Sequence, residues 1–194
     1  AHRAAAIIIA ENLGTSPADF TEAISARNML GMSVLWFERA LDGGFIGAKD
    51  YPSNSVAMTG THDTPTIAGW WTGRDLEWAG RLGRLTDGVD HVEAEKIRDW
   101  DRGLLWSTIG DSDLRPAPDD PQPVVEAALK HVAKSPAVLA IAPIEDLLGE
   151  LEQPNLPGTT SEHPNWRRRL KAPTQILLNN ATMASHLSAI SNRN

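Results

Sequence analysis

The chain has 194 residues, a net charge of −7 and no cysteine, in a composition that is 41% hydrophobic and 22% charged, ordinary for a globular protein. That length supports one domain with a real core. The acidic balance argues against a nucleic-acid binder, which needs concentrated Lys and Arg. The lack of cysteine excludes disulfides, thiol catalysis and Cys-based zinc sites.

The first apolar run, "AAAIIIA" at 4–10, is too short to cross a membrane and carries no signal-peptide cleavage pattern. No membrane partner is expected, and the composition is compatible with the cytoplasm. The chain does not begin with Met and reaches this run almost at once, which reads as a piece cut from something longer. Residues 5–14, "AAIIIAENLG", read as a buried strand ending at Glu11. A helix is expected within 15–31, with Ser16 as N-cap, Pro17 at its first position and Gly31 as its stop. Further buried strands are expected at "MSVLWFE" (32–38) and "SVAMTGTHD" (55–63). All are apolar without clean alternation, as parallel strands covered on both faces should be.

The helix expected over 91–107 carries Ile97, Trp100 and Leu104 on one stripe. The segment 115–123, with four prolines in nine residues, must be an exposed loop. A helix over 123–135 places Val125, Ala128, Leu129 and Val132 inward, and "AVLAIAPIEDLLG" (137–149) reads as the last buried strand, ending at Glu145 and Asp146. Residues 151–170 hold too many prolines and polar turns for a regular element and should lie over the strand ends. A terminal helix is expected over 174–190. Alternating strands and helices define an α/β fold with a parallel sheet or barrel.

Polar groups at the C-terminal ends of parallel strands are where such folds place chemistry. Glu11, Glu38, His62 with Asp63, and Glu145 with Asp146 hold those positions. Desolvation at a strand end would raise the Glu11 carboxyl toward a general acid's range, the plainer reading being a cap of the following loop. His62 and Asp63 make a poor metal site, because adjacent ligands at a strand end face different ways and no third ligand stands at a standard spacing. Each alone reads as a hydrogen-bonding loop residue. Together, Glu11 and Asp63 are two carboxylates able to flank one glycosidic bond, for which retaining enzymes need an acid/base and a nucleophile about 5–5.5 Å apart. Completing that set takes one more carboxylate. No G-x-S-x-G, P-loop or G-x-G-x-x-G follows a strand. The seven Trp against three Phe and one Tyr would suit sugar faces, with core packing as the default for any single one. The basic run "RRRLK" at 167–171 reads as a local solvated or structural patch, not a binding arm.

"AENLG" (10–14), "YPSNSVAMTGTHDTPTIAGWW" (51–71), "EDLLG" (145–149) and "QPNLPGTTSEHPNWRRRL" (153–170) resemble the 4-α-glucanotransferases, or amylomaltases, of glycoside hydrolase family 77. The resemblance implies the C-terminal part of an α-amylase-type (β/α)8 barrel, about strands five to eight with their helices, forming one unit over 1–194. It implies a substrate-loop segment at 150–171. By motif, Glu11 matches the acid/base and Asp63 the transition-state stabiliser. His62 matches a sugar-binding histidine and Asn155 a loop position over the substrate, while Trp70 and Trp71 would shape the cleft or pack under the loop. The nucleophile's Arg-x-Asp motif has no match here. The implied activity is transfer of α-1,4-glucan segments between maltooligosaccharides, in cytoplasmic glycogen or maltodextrin metabolism, without a cofactor or metal, and with this piece inactive alone. Half of a barrel would expose sheet edges and favour self-association. The alternatives are a non-catalytic carbohydrate-binding half-barrel and an α-amylase-like hydrolase.

Overall fold

The computed structural model describes residues 2–112 and 114–193. Its sheet has three parallel strands in the order β1 (Gly31–Val34), β2 (Ser55–Met58) and β3 (Leu139–Ile141). Gly31 pairs with Ser55 and Val34 with Met58; on the other side of β2, Val56 pairs with Leu139 and Met58 with Ile141. Parallel pairing puts the C-terminal ends of all three strands at one edge of the molecule.

The strand expected over 5–14 is reduced to a single parallel bridge between Ile9 and Leu30. Ala10 donates to the Leu30 carbonyl and Leu30 donates to that of Ile8, so the segment runs beside β1 with one edge paired. Among the described residues nothing covers its other side, and Ile7, Ile8 and Ile9 are exposed rather than buried. The remaining strands are shorter than expected. β1 turns into a 3-10 helix at Leu35–Phe37, and β3 stops before Pro143. Pro143, with φ at −55° and no N–H to give, opens the helix α6 over Ile144–Leu148. Glu145 and Asp146 therefore stand on a helix and not on a strand end.

α1 is confined to Phe20–Ser25. The Pro17 carbonyl accepts from Phe20 N at 3.0 Å, so Ser16 and Pro17 belong to a preceding turn and Asp19 holds the N-cap position. After β2 come two helices that the sequence pattern did not show, α2 (Ile67–Thr72) and α3 (Arg74–Arg81). The Thr66 hydroxyl caps α2 by accepting from Gly69 N. Between them Gly73 takes φ +85°, a left-handed conformation that ends one helix and turns the chain into the next.

α4 (His91–Ile109) is capped by Asp90, whose carboxylate accepts from Glu93 N. Its buried face is not the expected stripe: Ile97 is 53% and Trp100 73% exposed. Arg98 and Arg102 point inward instead, because the C-terminal carbonyls of α2 need donors. Arg98 Nη1 donates to the Trp70 carbonyl at 2.6 Å and Arg102 Nε to that of Trp71 at 2.7 Å. Arg98 also forms a two-pronged pair with Asp75, at 2.8 and 2.6 Å. Burying a guanidinium is tolerated only when it is satisfied in this way.

α5 (Gln122–Ala133) behaves as expected, with Val125, Ala128, Leu129 and Val132 fully buried. It packs with Leu35, Ile67, Trp71 and Leu105 into the main core. The expected terminal helix is divided into α7 (Thr174–Leu178) and α8 (Ala181–Ser191). The break is a capping event: Asn180 Oδ1 accepts from Thr182 N and Met183 N, starting a new helix. Among the described residues no helix is long and apolar enough to cross a membrane.

Candidate active site

The ends of β1, β2 and β3 open into a cleft of about 940 Å³. Glu11, His62 and Asp63 line it, together with Glu145, Trp166 and Arg168. Two of the sequence's carboxylates thus meet in one cavity although 52 residues separate them in the chain (63 − 11).

Glu11 is fixed from both sides. Before it, the Ile9–Leu30 bridge holds the backbone to β1. After it, Asn12 Oδ1 accepts from Met32 N at 2.7 Å. Gly31 leaves room for that amide: a Cβ there would come within 3.3 Å of Asn12 Nδ2. Glu11 itself is exposed, so the desolvation expected of a buried strand end is not found.

His62 and Asp63 occupy the tight turn after β2. Thr64 Oγ1 accepts from Thr61 N at 2.8 Å and donates to the Thr61 carbonyl at 3.1 Å, closing the turn. Asp63 N donates to Thr61 Oγ1 at 3.2 Å. Short hydroxyl side chains substitute here for a regular backbone ladder. The Asp63 carboxylate accepts from Asn155 Nδ2 at 2.6 Å, and the same oxygen lies 3.4 Å from His62 Nε2. The loop carrying Asn155 is tied to the turn by Asn155 N to the His62 carbonyl at 3.2 Å and by Gln153 Nε2 to the Asp63 carbonyl at 3.3 Å. Asn155 therefore reaches the site through Asp63.

Both ends of the turn are clamped by Asp146, which is 1% exposed. Its carboxylate accepts from Thr59 Oγ1 at 2.6 Å and from Ile67 N at 2.7 Å. Burial pushes this carboxyl up to about 6, with the Thr59 and Ile67 donors opposing the rise. Asp146 was expected at a strand end facing the cleft. It is instead an internal staple between α6, the turn and α2.

The loop over 151–170 does lie over the strand ends, held by an ion-pair cluster. Glu152 accepts from Arg74 Nε at 2.7 Å and Trp78 Nε1 at 2.9 Å, and pairs with Arg168 at 3.3 Å. Burial would raise the Glu152 carboxyl, but these donors prevail and hold it below the usual carboxylate range. Lys171 pairs with Glu150 at 2.8 Å. The basic run is thus part structural, through Arg168 and Lys171, and part solvated, and Arg168, Arg169 and Lys171 also border the cleft.

Trp70 is not among the residues of the cleft. It is 7% exposed, with Arg98 over its face at 4.4 Å, Trp36 at a ring distance of 4.9 Å and Phe45 edge-on at 6.5 Å. Trp71 is fully buried. Both pack in the main core, the default for any single tryptophan. Glu38 is half-buried, does not line the cleft, and has its carboxyl pushed up by that burial. The tryptophan that lines the cleft is Trp166, whose ring centroid is 5.2 Å from that of His62. Its place in "HPNWRRRL", inside a turn-rich loop rather than an apolar run, was the available signal. No group of three or more His, Cys, Asp or Glu arranged to hold a metal occurs among the described residues.

A parallel sheet with carboxylates, a guanidinium group and an open indole at its C-terminal edge defines an α/β protein of the kind that binds ligands at its strand ends. Comparison with known proteins narrows the class. A family model described as 4-alpha-glucanotransferase, glycoside hydrolase family 77, matches residues 1–175, so the chain belongs to that family. It is 33% identical over 179 residues to a 4-alpha-glucanotransferase of Mycobacterium bovis, covering 89% of this chain and 24% of the relative. A 4-alpha-glucanotransferase of Haemophilus influenzae is 29% identical over 186 residues, 91% of this chain and 26% of its own. The amylomaltase of Corynebacterium glutamicum superposes with a TM-score of 0.82 at 26% identity, over 97% of this chain and 29% of that one. The family expected from the motifs, and the α/β class, are both borne out. The chain spans about a quarter of the length of these curated relatives.

Proposed function

We propose that this chain forms one wall of the active site of a 4-alpha-glucanotransferase that moves α-1,4-glucan segments between maltooligosaccharides. On this reading it is the C-terminal part of a (β/α)8 barrel, about strands five to eight, with 150–171 as its substrate loop. The observation that carries the reading is that Glu11, two residues after the Ile9–Leu30 parallel bridge, and Asp63, in the turn after β2, line one cleft.

The mechanism is a retaining double displacement in which the attacking carboxylate comes from outside residues 1–194. Glu11 gives its proton to the glycosidic oxygen as the bond to the anomeric carbon breaks and the outside carboxylate bonds to that carbon. The 4-hydroxyl of an acceptor glucan then attacks the same carbon, releasing the carboxylate and passing its proton to Glu11. Asp63, aligned by Asn155, and His62 hold hydroxyls beside the anomeric centre, in bonds that strengthen as the ring flattens. Carboxylates and donors suffice for each proton transfer, so the scheme needs no cofactor. The setting proposed is cytoplasmic maltodextrin or glycogen metabolism, and residues 1–194 without the attacking carboxylate should be inactive.

Incubating the intact protein with maltotriose should give glucose and a ladder of longer maltooligosaccharides. Release of glucose and maltose alone, with no longer products, would refute transfer. Glu11→Gln, which removes the proton donor without changing shape, should lower ladder formation by at least about a hundredfold.

A further inference from the structure

Resting on the reading of the cleft as a glucan site, we infer that Trp166 is a rigid stacking platform for one pyranose ring of the bound glucan. The starting observation is backbone strain. Three non-glycine residues among those described have positive φ: Ala5 at 47°, Asn28 at 53° and Trp166 at 59°. Asparagine tolerates the left-handed region through local side-chain bonds, and alanine has little bulk to clash. A bulky residue there is a true outlier.

Burial does not explain it. Trp166 is 65% exposed, so its indole gives little apolar burial in return for the strain. It is instead held out into the cleft. Its backbone N–H donates to the Pro154 carbonyl at 3.0 Å. The preceding residue is the hub of the loop: Asn165 Oδ1 accepts from Leu156 N at 2.9 Å and lies 2.6 Å from His163 Nδ1. Asn165 Nδ2 donates to the Thr159 carbonyl at 3.1 Å and to Thr159 Oγ1 at 2.8 Å. His163 is 1% exposed, edge-on to Trp78 at 4.8 Å, and its Nε2 is 3.8 Å from Glu152. On the far side, Arg168 is anchored to the same Glu152. The loop over-determines a conformation that the tryptophan alone would avoid, which is the signature of strain retained for function.

What the loop presents is a flat apolar face beside a polar pair. The indole ring is tilted by 46° to the His62 ring, next to Asp63 and its Asn155 partner. A hexopyranose has that same division: an apolar C–H face that stacks on an indole, and equatorial hydroxyls that reach carboxylate and imidazole groups. Exposed Phe37 also lines the cleft and adds a second apolar surface.

The test separates the ring from the strain. In the intact protein carrying Glu11→Gln to stop turnover, maltoheptaose binding is measured by calorimetry for Trp166, Trp166→Gly and Trp166→Tyr, alongside thermal melting. Glycine accepts the left-handed conformation without steric strain, and that relief offsets its larger entropy loss on folding, so Trp166→Gly should melt within a few degrees of the parent. Its dissociation constant should rise by about tenfold or more, and Trp166→Tyr should keep it within about threefold. Binding by Trp166→Gly within about twofold of the parent overturns the inference, as does tyrosine binding as weakly as glycine. If Trp166→Gly fails to fold, Trp166→Asn, which also accepts positive φ, carries the same comparison. A wild-type protein that builds the maltooligosaccharide ladder while the glycine variant binds normally sinks this inference alone. A wild-type protein that neither transfers nor binds glucan sinks it together with the proposed function.

Discussion

Asp63 carries its alignment in one short bond. Asn155 Nδ2 donates to its carboxylate at 2.6 Å from a loop 92 residues away in the chain, while His62 stands 3.4 Å from the same oxygen. A charge-assisted bond of this length fixes a carboxylate more firmly than a neutral one would. The side chain of Asp63 is 45% exposed, so the bond contributes direction more than stability. On the proposed function, Asn155→Ala in the intact protein should therefore slow glucan transfer by about tenfold or more while changing stability by only about 0.5 kcal/mol. Initial rates of ladder formation and a thermal melt measure both. A large loss of stability with an unchanged rate would make Asn155 a structural residue only.

The turn between β2 and α2 is an element whose ends are held by one buried acid. Asp146 joins Thr59 at the strand end to Ile67 at the helix start, at 2.6 and 2.7 Å. Its folded pKa is raised to about 6 from an ordinary 3.8. The folded state therefore binds a proton that the unfolded state has released between those values. The stabilisation belongs to the protonated form: it is fully present below about pH 4 and is lost as pH rises through about 6. Asp146→Asn keeps the shape, accepts from Ile67 and donates to Thr59, and cannot ionise. The melting temperature of Asp146→Asn minus that of the parent should therefore rise from pH 4 to pH 7, across the titration of Asp146. A flat difference would refute the assignment. Asp146→Ala, which strands the Thr59 hydroxyl and the Ile67 N–H, should cost on the order of 1–3 kcal/mol.

The molecule as a whole leaves an apolar margin open. Ile7 is 61%, Ile8 39% and Ile9 41% exposed, on a segment paired along one edge. Val92, Ile97 and Trp100 are also exposed on α4. An unpaired apolar strand edge is a template for association. We expect the 194-residue chain to self-associate, with a mass by light scattering that grows with concentration, and Ile7→Lys with Ile9→Lys to suppress the growth. A constant monomer mass for the unmodified chain would refute this.

Local signals specified a good part of this protein. The buried apolar rows of β1 and β2, the inward face of α5 and the motif blocks that mark the family could be read directly, because strand burial and helix periodicity are written in neighbouring residues; β3 was expected to be buried too, but Ile141 is 37% exposed. The cleft-lining positions of His62 and Asp63 were legible because parallel strands bring their C-terminal ends together wherever they lie in the chain, and Glu11 joins them although its segment keeps only one parallel bridge to Leu30. The tertiary structure decided what depends on partners far apart in sequence. Trp70 went to the core because Arg98 covers its face, and α4 turned Arg98 and Arg102 inward because the end of α2 lacked donors. Asp146 became a staple because Pro143 ended β3 before it. Trp166 became the tryptophan of the cleft because Asn165, His163 and Glu152 hold its loop in a conformation that no local preference would choose.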